Sequence, residues 1–227
     1  RQDASEVAPR VDVIQTFDTV TGRRQGTLPA SAWKWKRAVS GPGSLSVTIP
    51  YTQAVMGRDL RTELSPWRTT IAVVDSETRR VLAAGMVYQR RWDADTATLD
   101  VTCADMWDML KLRLVIEPSL DTHRTGTITG GDGGLYPSPW SRRLTGSLSD
   151  IARALGRISM SAGRLPIVLP PNTGGQNERT YQGPDFATVA SRLSELTQVI
   201  DGPEIVFQPR LAETSTSLQW HMLTGTP

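Results

Sequence analysis

Residues able to act as nucleophiles, as general acids and bases or as metal ligands are few in this sequence. It contains two histidines, His123 and His221, and a single cysteine, Cys103. One cysteine allows neither an intrachain disulfide nor a cysteine-based metal site. No GxSxG serine elbow occurs, and neither histidine lies in a catalytic motif. We therefore expect no nucleophilic site, no bound metal and no cofactor.

Carboxylates offer the remaining route to catalysis. A glycosidase needs only two of them, about 5–10 Å apart. The densest acidic group is Asp93, Asp95, Asp100, Asp105 and Asp108. These residues fall in a predicted turn, a strand and a helix, which favours surface and capping roles. The sequence GGDGG around Asp132 lacks the GK[ST] ending of a phosphate-binding loop. The chain is therefore predicted not to be an enzyme.

Tryptophan and lysine alternate in the segment AWKWK. At the strand period, Trp33 and Trp35 point to one face, while Lys34 and Lys36 point to the other. The following apolar alternation, LSVTI, supplies a strand for the indoles to pack beside. Packing in a core or an interface is therefore the favoured role for the two tryptophans. The lysines are expected on a solvated or partner-facing surface.

A second interpretation uses the same aromatic side chains as a ligand platform. Trp33 and Trp35 could stack on a sugar, and Tyr136 and Trp140 in a Gly/Pro-rich loop could join them. The chain would then be a receptor-binding or glycan-binding module. This alternative stays open at the level of the sequence.

The elements that must position these residues change character along the chain. Alternation predicts strands at residues 11–17, 32–38, 45–49, 70–75, 80–89 and 99–103. Helical spacing predicts helices at residues 104–112, 147–162 and 186–199, with a capping box between Ser147 and Asp150. A short strand at residues 165–169 and a hairpin formed by residues 204–208 and 217–223 complete the pattern. The fold class is α+β, mostly antiparallel β, with a β-barrel-like N-terminal part and a few helices.

This pattern divides the chain into four parts. Residues 1–10 are a flexible leader, and residues 11–117 a β-rich barrel-like domain. Residues 118–146 form a long Gly/Pro/Ser loop, and residues 147–227 a helix–strand–helix segment with a closing β-hairpin. Because the sequence stops directly after a strand, we expect it to be the front part of a longer chain. No run approaches the roughly 18 apolar residues of a membrane span.

Charge gives little indication of a partner. The formal net charge is only +2, and acidic and basic residues are interleaved. A nucleic-acid-binding protein usually concentrates its basic residues in a patch or stripe. No specific nucleic-acid site is therefore predicted.

Several motifs follow one another in a recognisable order. The chain opens with FDTVTGRRQGTLPASAWKWKRAVSGPGSLSVTIP and continues with LDVTCADMWDMLKLRLV and SLSDIARALGR. It then has LPIVLPPNTGGQNERTYQGPDFATVASRLSEL and closes with GPEIVFQPR. From about residue 11 to residue 227, this ordered set resembles the minor tail proteins of siphoviruses that infect actinobacteria. Residues 58–69 and much of 121–139 match least.

The resemblance implies a structural protein of the virion at the distal end of the tail. It would be a tail-tip hub or baseplate component that closes or extends the tail tube and organises the tip for host attachment and genome delivery. Such hubs are typically trimers whose β-barrel domains form a ring. The implied partners are further copies of the chain, the distal tail and tape-measure proteins, and the host cell surface. The resemblance does not separate a hub from the adjoining distal tail protein.

In such a ring the front strand has a place. Trp33 and Trp35 would pack inside the barrel or against a neighbouring subunit, and Lys34 and Lys36 would face a partner or the lumen. Tyr136 and Trp140 are the candidate loop contacts. A wall-degrading enzyme is a third possibility, because related hubs can carry such a domain further along the chain.

Overall fold

The computed structural model of the chain describes residues 12–115, 141–161, 163–213 and 216–225. Within them the fold is α+β and mainly antiparallel β, with four α-helices. This confirms the predicted α+β class with mostly antiparallel strands and a few helices. None of the described helices is long and apolar enough to cross a membrane.

The first half of the chain forms a seven-stranded antiparallel sheet. Its strands are β1 Asp12–Asp18, β2 Arg24–Leu28, β3 Ala32–Lys36, β4 Ser44–Pro50, β5 Thr69–Asp75, β6 Val81–Asp93 and β7 Thr98–Ala104. The strand order is β2-β1-β5-β6-β7-β4-β3. Every residue of β5 is buried, since this strand lies inside the sheet and both of its faces are covered.

The expected barrel is not closed by strand pairing in the described part of the chain. β2 and β3 stand at opposite ends of the strand order, and each pairs with one neighbour there. The sheet nevertheless curls. The curl brings β3 close enough to β1 for the Trp33 side chain to hydrogen-bond Asp12. The barrel-like part is therefore a curled, open sheet with two five-residue edge strands.

One face of the sheet buries a strand cluster. Alternate residues of the strands supply it, as the period-two pattern requires. Its buried members are Ile14, Leu28, Leu45, Val47, Ile49, Val55, Leu64, Ile71, Val73, Ala83, Val87, Val101 and Cys103. Val55 and Leu64 come from the connection between β4 and β5. The short helix α1, Leu60–Glu63, lies in this connection, for which the sequence pattern predicted neither a helix nor a strand.

The other face of the sheet packs on the second half of the chain. The helices here are α2 Met106–Leu110, α3 Leu148–Ser161 and α4 Val189–Thr197, and the strands are β8 Ser141–Gly146, β9 Ile167–Val168, β10 Asn177–Gln182, β11 Glu204–Leu211 and β12 Leu218–Gly225. β8 pairs with β10, and the order β11-β12-β9 forms a third sheet. Phe17 and Met86 from the first half share one helix cluster with Leu155, Leu193 and Trp220.

The start of α3 confirms the predicted capping box. The Asp150 N–H donates to Ser147 Oγ at 3.0 Å, and the Ser147 N–H donates to Asp150 Oδ2 at 3.2 Å. Two otherwise unpaired backbone donors are satisfied reciprocally, with aspartate in the place of the usual glutamate. Thr173 reinforces the cap, since its N–H donates to Asp150 Oδ1 at 2.8 Å. The loop before β10 is thereby held against the helix.

Helix α4 starts three residues later than predicted. Phe186 was expected on its apolar side, but it lies before the helix with φ 47° and 60% of its surface exposed. Thr188 is the N-cap, and its Oγ1 accepts the Ser191 N–H at 3.1 Å. The Thr188 hydroxyl accepts a backbone N–H of the first turn, which the aromatic side chain of Phe186 cannot do.

Candidate assembly surface

Strand β3 is an edge strand with two different faces. Trp33 and Trp35 are half-buried and pack against the strand cluster, whereas Lys34 and Lys36 are exposed. The register explains this alternation, because Trp33 and Trp35 oppose the buried Val47 and Leu45 of β4. β3 pairs with β4 along one side only in the described structure. Among the described strands the other side has no partner, and an edge of this kind is the usual site for strand addition.

Asp12 connects the free edge of β3 to the start of β1. The Trp33 Nε1–H donates to Asp12 Oδ2 at 3.1 Å. The second carboxylate oxygen, Asp12 Oδ1, is buried and has no hydrogen-bond partner in the part of the chain that the structure describes. A buried acceptor left without a donor is costly, on the order of 1–3 kcal/mol.

A groove of about 370 Å³ runs beside this edge. Trp33 and Trp35 line the groove together with Arg37, which directly follows β3. The other lining residues come from the start of β1, from the β5–β6 turn and the start of β6, and from β11: Asp12, Arg80, Val81, Leu82, Gln208 and Pro209. The groove thus combines indole surface with two exposed arginines. The geometry suits an extended segment with polar or acidic side chains.

The outer face of the same sheet is polar. A shallow groove of about 460 Å³ is lined there by residues that include Lys34, Ser46, Thr102, Arg91 and Asp100. Across the strands, Lys34 lies opposite Ser46, and Ser46 lies opposite Thr102. On this face the hydroxyl groups of Ser46 and Thr102 lie between the cationic side chains of Lys34 and Arg91.

The predicted acidic group is distributed over structural tasks. Asp93 Oδ1 accepts the backbone N–H groups of Asp95 and Thr96 in the β6–β7 turn. Asp100 Oδ1 accepts the Thr48 hydroxyl at 2.7 Å. Asp105 and Asp108 belong to α2, where Asp105 is the N-cap and Asp108 pairs with Lys111 at 2.5 Å. Each of these contacts is local to a turn, a strand pair or a helix.

The other chemically reactive residues are separated from one another. Cys103 is buried, and burial raises the pKa of its thiol to about 12. His221 lies half-buried on β12, where burial and the charge of Arg210 lower its pKa. In the described residues, no group of three or more His, Cys, Asp or Glu side chains could hold a metal ion. His123, Tyr136 and Trp140 lie outside the described residues.

An exposed aromatic pair at the end of the β6–β7 hairpin was not singled out from the sequence. The rings of Tyr51 and Trp92 meet edge to face, with centroids 5.7 Å apart, and are 48% and 51% exposed. Trp92 directly precedes the polar turn that starts at Asp93. No alternation of apolar and polar residues therefore singled it out in the sequence. Arg80 was missed as well, because a turn position does not reveal which distant strand it will face.

Comparisons with known proteins place few restrictions on function. No protein-family model matches the chain, and no curated protein matches it. Among solved structures, the chain is similar to the 43 kDa tail protein of prophage MuSo2 from Shewanella oneidensis, with 13% sequence identity and a TM-score of 0.44. The alignment covers 93% of this chain and 53% of that protein. The chain therefore spans about half the length of that structure.

Proposed function

We propose that this chain is a structural protein of a phage virion, acting at the distal end of the tail as a hub or baseplate component. It would act by assembly and not by turnover. The observation that carries the proposal is the ordered set of motifs resembling minor tail proteins. Those motifs fall in the front strands, the strand–helix segment around α2, the start of α3 and the final sheet.

The surface of the described residues supports an assembly role. β2 and β3 leave two sheet edges open, and an isolated subunit with open edges is prone to pair with other chains. Assembly into a ring would cover such an edge. Buried aromatic surface would supply the stability of the contact, and charge would set its register. The proposed partners are further copies of this chain, in a trimer, and the distal tail and tape-measure proteins.

The proposal is tested by removing the chain from its phage. Purified virions should contain the chain by mass spectrometry, and a null mutant should yield particles with absent or open-ended tails in negative-stain electron microscopy. Complementation with the intact gene should restore both. Two results together would refute the structural role: wild-type virions that contain no such chain, and null-mutant particles that are infectious and have normal tails.

A further inference from the structure

We propose that the groove lined by Trp33 and Trp35 binds an acidic saccharide, that is, a sugar that carries a carboxylate or a phosphate group. The two indoles contact the apolar face of a sugar ring, and the guanidinium groups of Arg37 and Arg80 hold its anionic group. The inference goes beyond the proposed function, because it assigns a ligand to the single chain and does not depend on how copies assemble.

The aromatic surface of the groove is held in place by the fold. Trp33 and Trp35 are half-buried and pack against the strand cluster. The Trp33 Nε1–H donates to Asp12 Oδ2 at 3.1 Å, which fixes the orientation of that ring. The buried residues Val81 and Pro209 line the same groove and add apolar surface. A rigid aromatic surface loses little conformational entropy on binding, and it suits the C–H face of a sugar ring.

Two arginine side chains at the groove are available to an anion. Arg37 follows β3, Arg80 precedes β6, and both are exposed. Within the described ranges neither guanidinium group forms an ion pair. Their planar sets of N–H donors match the oxygens of a carboxylate or a phosphate. Of the described residues that line the groove, only Asp12 is acidic, so cationic groups outnumber anionic ones and an anion is favoured over a cation.

A neutral polar side chain completes the lining. Gln208 on β11 is half-buried, and its Oε1 accepts an N–H of Arg210 at 2.7 Å. Its amide N–H groups have no partner among the described residues, so they can donate to a sugar hydroxyl. The volume of about 370 Å³ lies within the range of small-ligand sites, about 300–1,000 Å³. The groove thus offers apolar surface, cationic donors and an amide donor to one small ligand.

An acidic peptide is the competing occupant, since it could offer carboxylates to the same arginines. It lacks the rigid ring whose apolar face fits two fixed indoles. Pairing of its backbone along β3 would also have to accommodate the bond between Trp33 and Asp12, which connects β3 to β1. Lys34 and Lys36 cannot attract it into the groove, because their side chains point to the opposite face of β3. These features favour a saccharide.

A glycan array with carboxylated, phosphorylated and neutral saccharides provides the first test. The purified chain should bind acidic members of the array, and the carboxylated and phosphorylated members distinguish the two sources of the anion. Isothermal titration calorimetry then compares the strongest acidic oligosaccharide with a neutral one of the same length and with a tetraglutamate peptide. The acidic oligosaccharide should bind about tenfold or more tightly than either, because it alone uses both the arginines and the indoles.

Charge-removing variants test the role of the arginines. Arg37→Gln combined with Arg80→Gln should weaken binding of the acidic oligosaccharide by about tenfold or more. Both side chains are exposed, so the variant should stay folded, which circular dichroism checks. The matched control is Lys34→Gln combined with Lys36→Gln. It removes the same charge from the opposite face of β3 and should bind like the wild type.

Nuclear magnetic resonance locates the ligand without substituting the indoles. The indole N–H signals of Trp33 and Trp35 should shift when the acidic oligosaccharide is added, because both rings line the groove. The signal of Trp92 should not shift, although its ring is exposed beside Tyr51.

Absence of binding to every acidic saccharide on the array would overturn the inference. Equal affinity for the acidic and the neutral oligosaccharide, equal effects of the arginine and lysine variants, or shifts confined to Trp92 would also overturn it. Tighter binding of the tetraglutamate peptide would overturn it too and assign the groove to an acidic protein segment. None of these outcomes concerns the composition or the tails of virions, so each would leave the proposed function standing.

Discussion

Asp105 is a carboxylate held between a loop and a helix. Its Oδ2 accepts the Gly43 N–H at 2.5 Å, and its Oδ1 accepts the Asp108 N–H at 3.3 Å. Burial raises the pKa of this carboxyl to about 6, although the backbone donors oppose the rise. Because the folded state binds the proton more tightly than the unfolded state does, ionising Asp105 costs stability. Its effect is absent below about pH 4 and complete above the folded pKa.

We therefore predict that Asp105 lowers the free energy of unfolding as pH rises from 4 to 7. The loss is on the order of 1–3 kcal/mol, since each unit of pKa difference is worth about 1.4 kcal/mol. Asp105→Asn does not titrate there, so the difference between wild type and variant should change over this range. Urea unfolding at four pH values measures it. Parallel pH profiles for the two proteins would contradict the prediction.

Gly85 is another position where a single residue type fits. A methyl group built on it would lie 2.7 Å from the Cys103 Cβ and 3.0 Å from the Ala104 carbonyl oxygen. Cys103 is buried, and both neighbours belong to β7, which is paired within the sheet and cannot move far. Gly85→Ala should therefore lower the free energy of unfolding by about 1–3 kcal/mol, as overpacking does.

Thermal or urea unfolding of Gly85→Ala measures this loss. Gly225→Ala is the matched control, because nothing lies within 4 Å of a Cβ built on Gly225, at the end of β12. The free energy of unfolding of Gly225→Ala should equal that of the wild type. Equal stability of Gly85→Ala and Gly225→Ala would show that the sheet interior is looser than described.

At the scale of elements, the cap of α3 is the clearest case for measurement. Ser147 Oγ accepts the Asp150 N–H and also lies 2.7 Å from the Thr173 hydroxyl oxygen. Ser147→Ala removes both contacts and should cost about 1–2 kcal/mol of stability, as lost N-caps do. Ser149→Ala, two residues on in the same helix, should be neutral or slightly stabilising. Chemical unfolding compares the pair, and equal effects of the two substitutions would contradict the capping role.

Elements with strong periodicity could be predicted from the sequence. β4 alternates apolar and polar residues, and α3 has both an apolar stripe and a capping box, so both were located closely. β10, NERTYQ, could not be predicted, because Tyr181 is its one buried residue and the rest of the strand is exposed. The same holds for β2, RQGTL, where Leu28 alone is buried. These strands are specified by distant partners and not by their own pattern.

The candidate surface was predictable only in part. The alternation of Trp33 and Trp35 with lysines shows two faces in the sequence itself. The partners Asp12 and Arg80 could not be found in that way, because the curl of the sheet brings them to β3 from β1 and from the β5–β6 turn. Likewise, the open strand order follows from pairings distributed along the chain, which local residue types do not encode.

At the scale of the whole molecule, two halves of the chain share one helix cluster, and the sheet of the first half has two edges without a strand partner among the described residues. A fold of this kind is stable through its core but incomplete at its edges. The proposed tail role uses that property, because neighbouring subunits would cover what the single chain leaves unpaired.

The most direct measurement is immunogold labelling of purified virions with an antibody against this chain, observed by negative-stain electron microscopy. A structural protein of the tail tip predicts gold confined to the distal end of the tail. Gold on the head, gold along the whole tail shaft, or no gold on intact and tip-disrupted virions would contradict the proposed role.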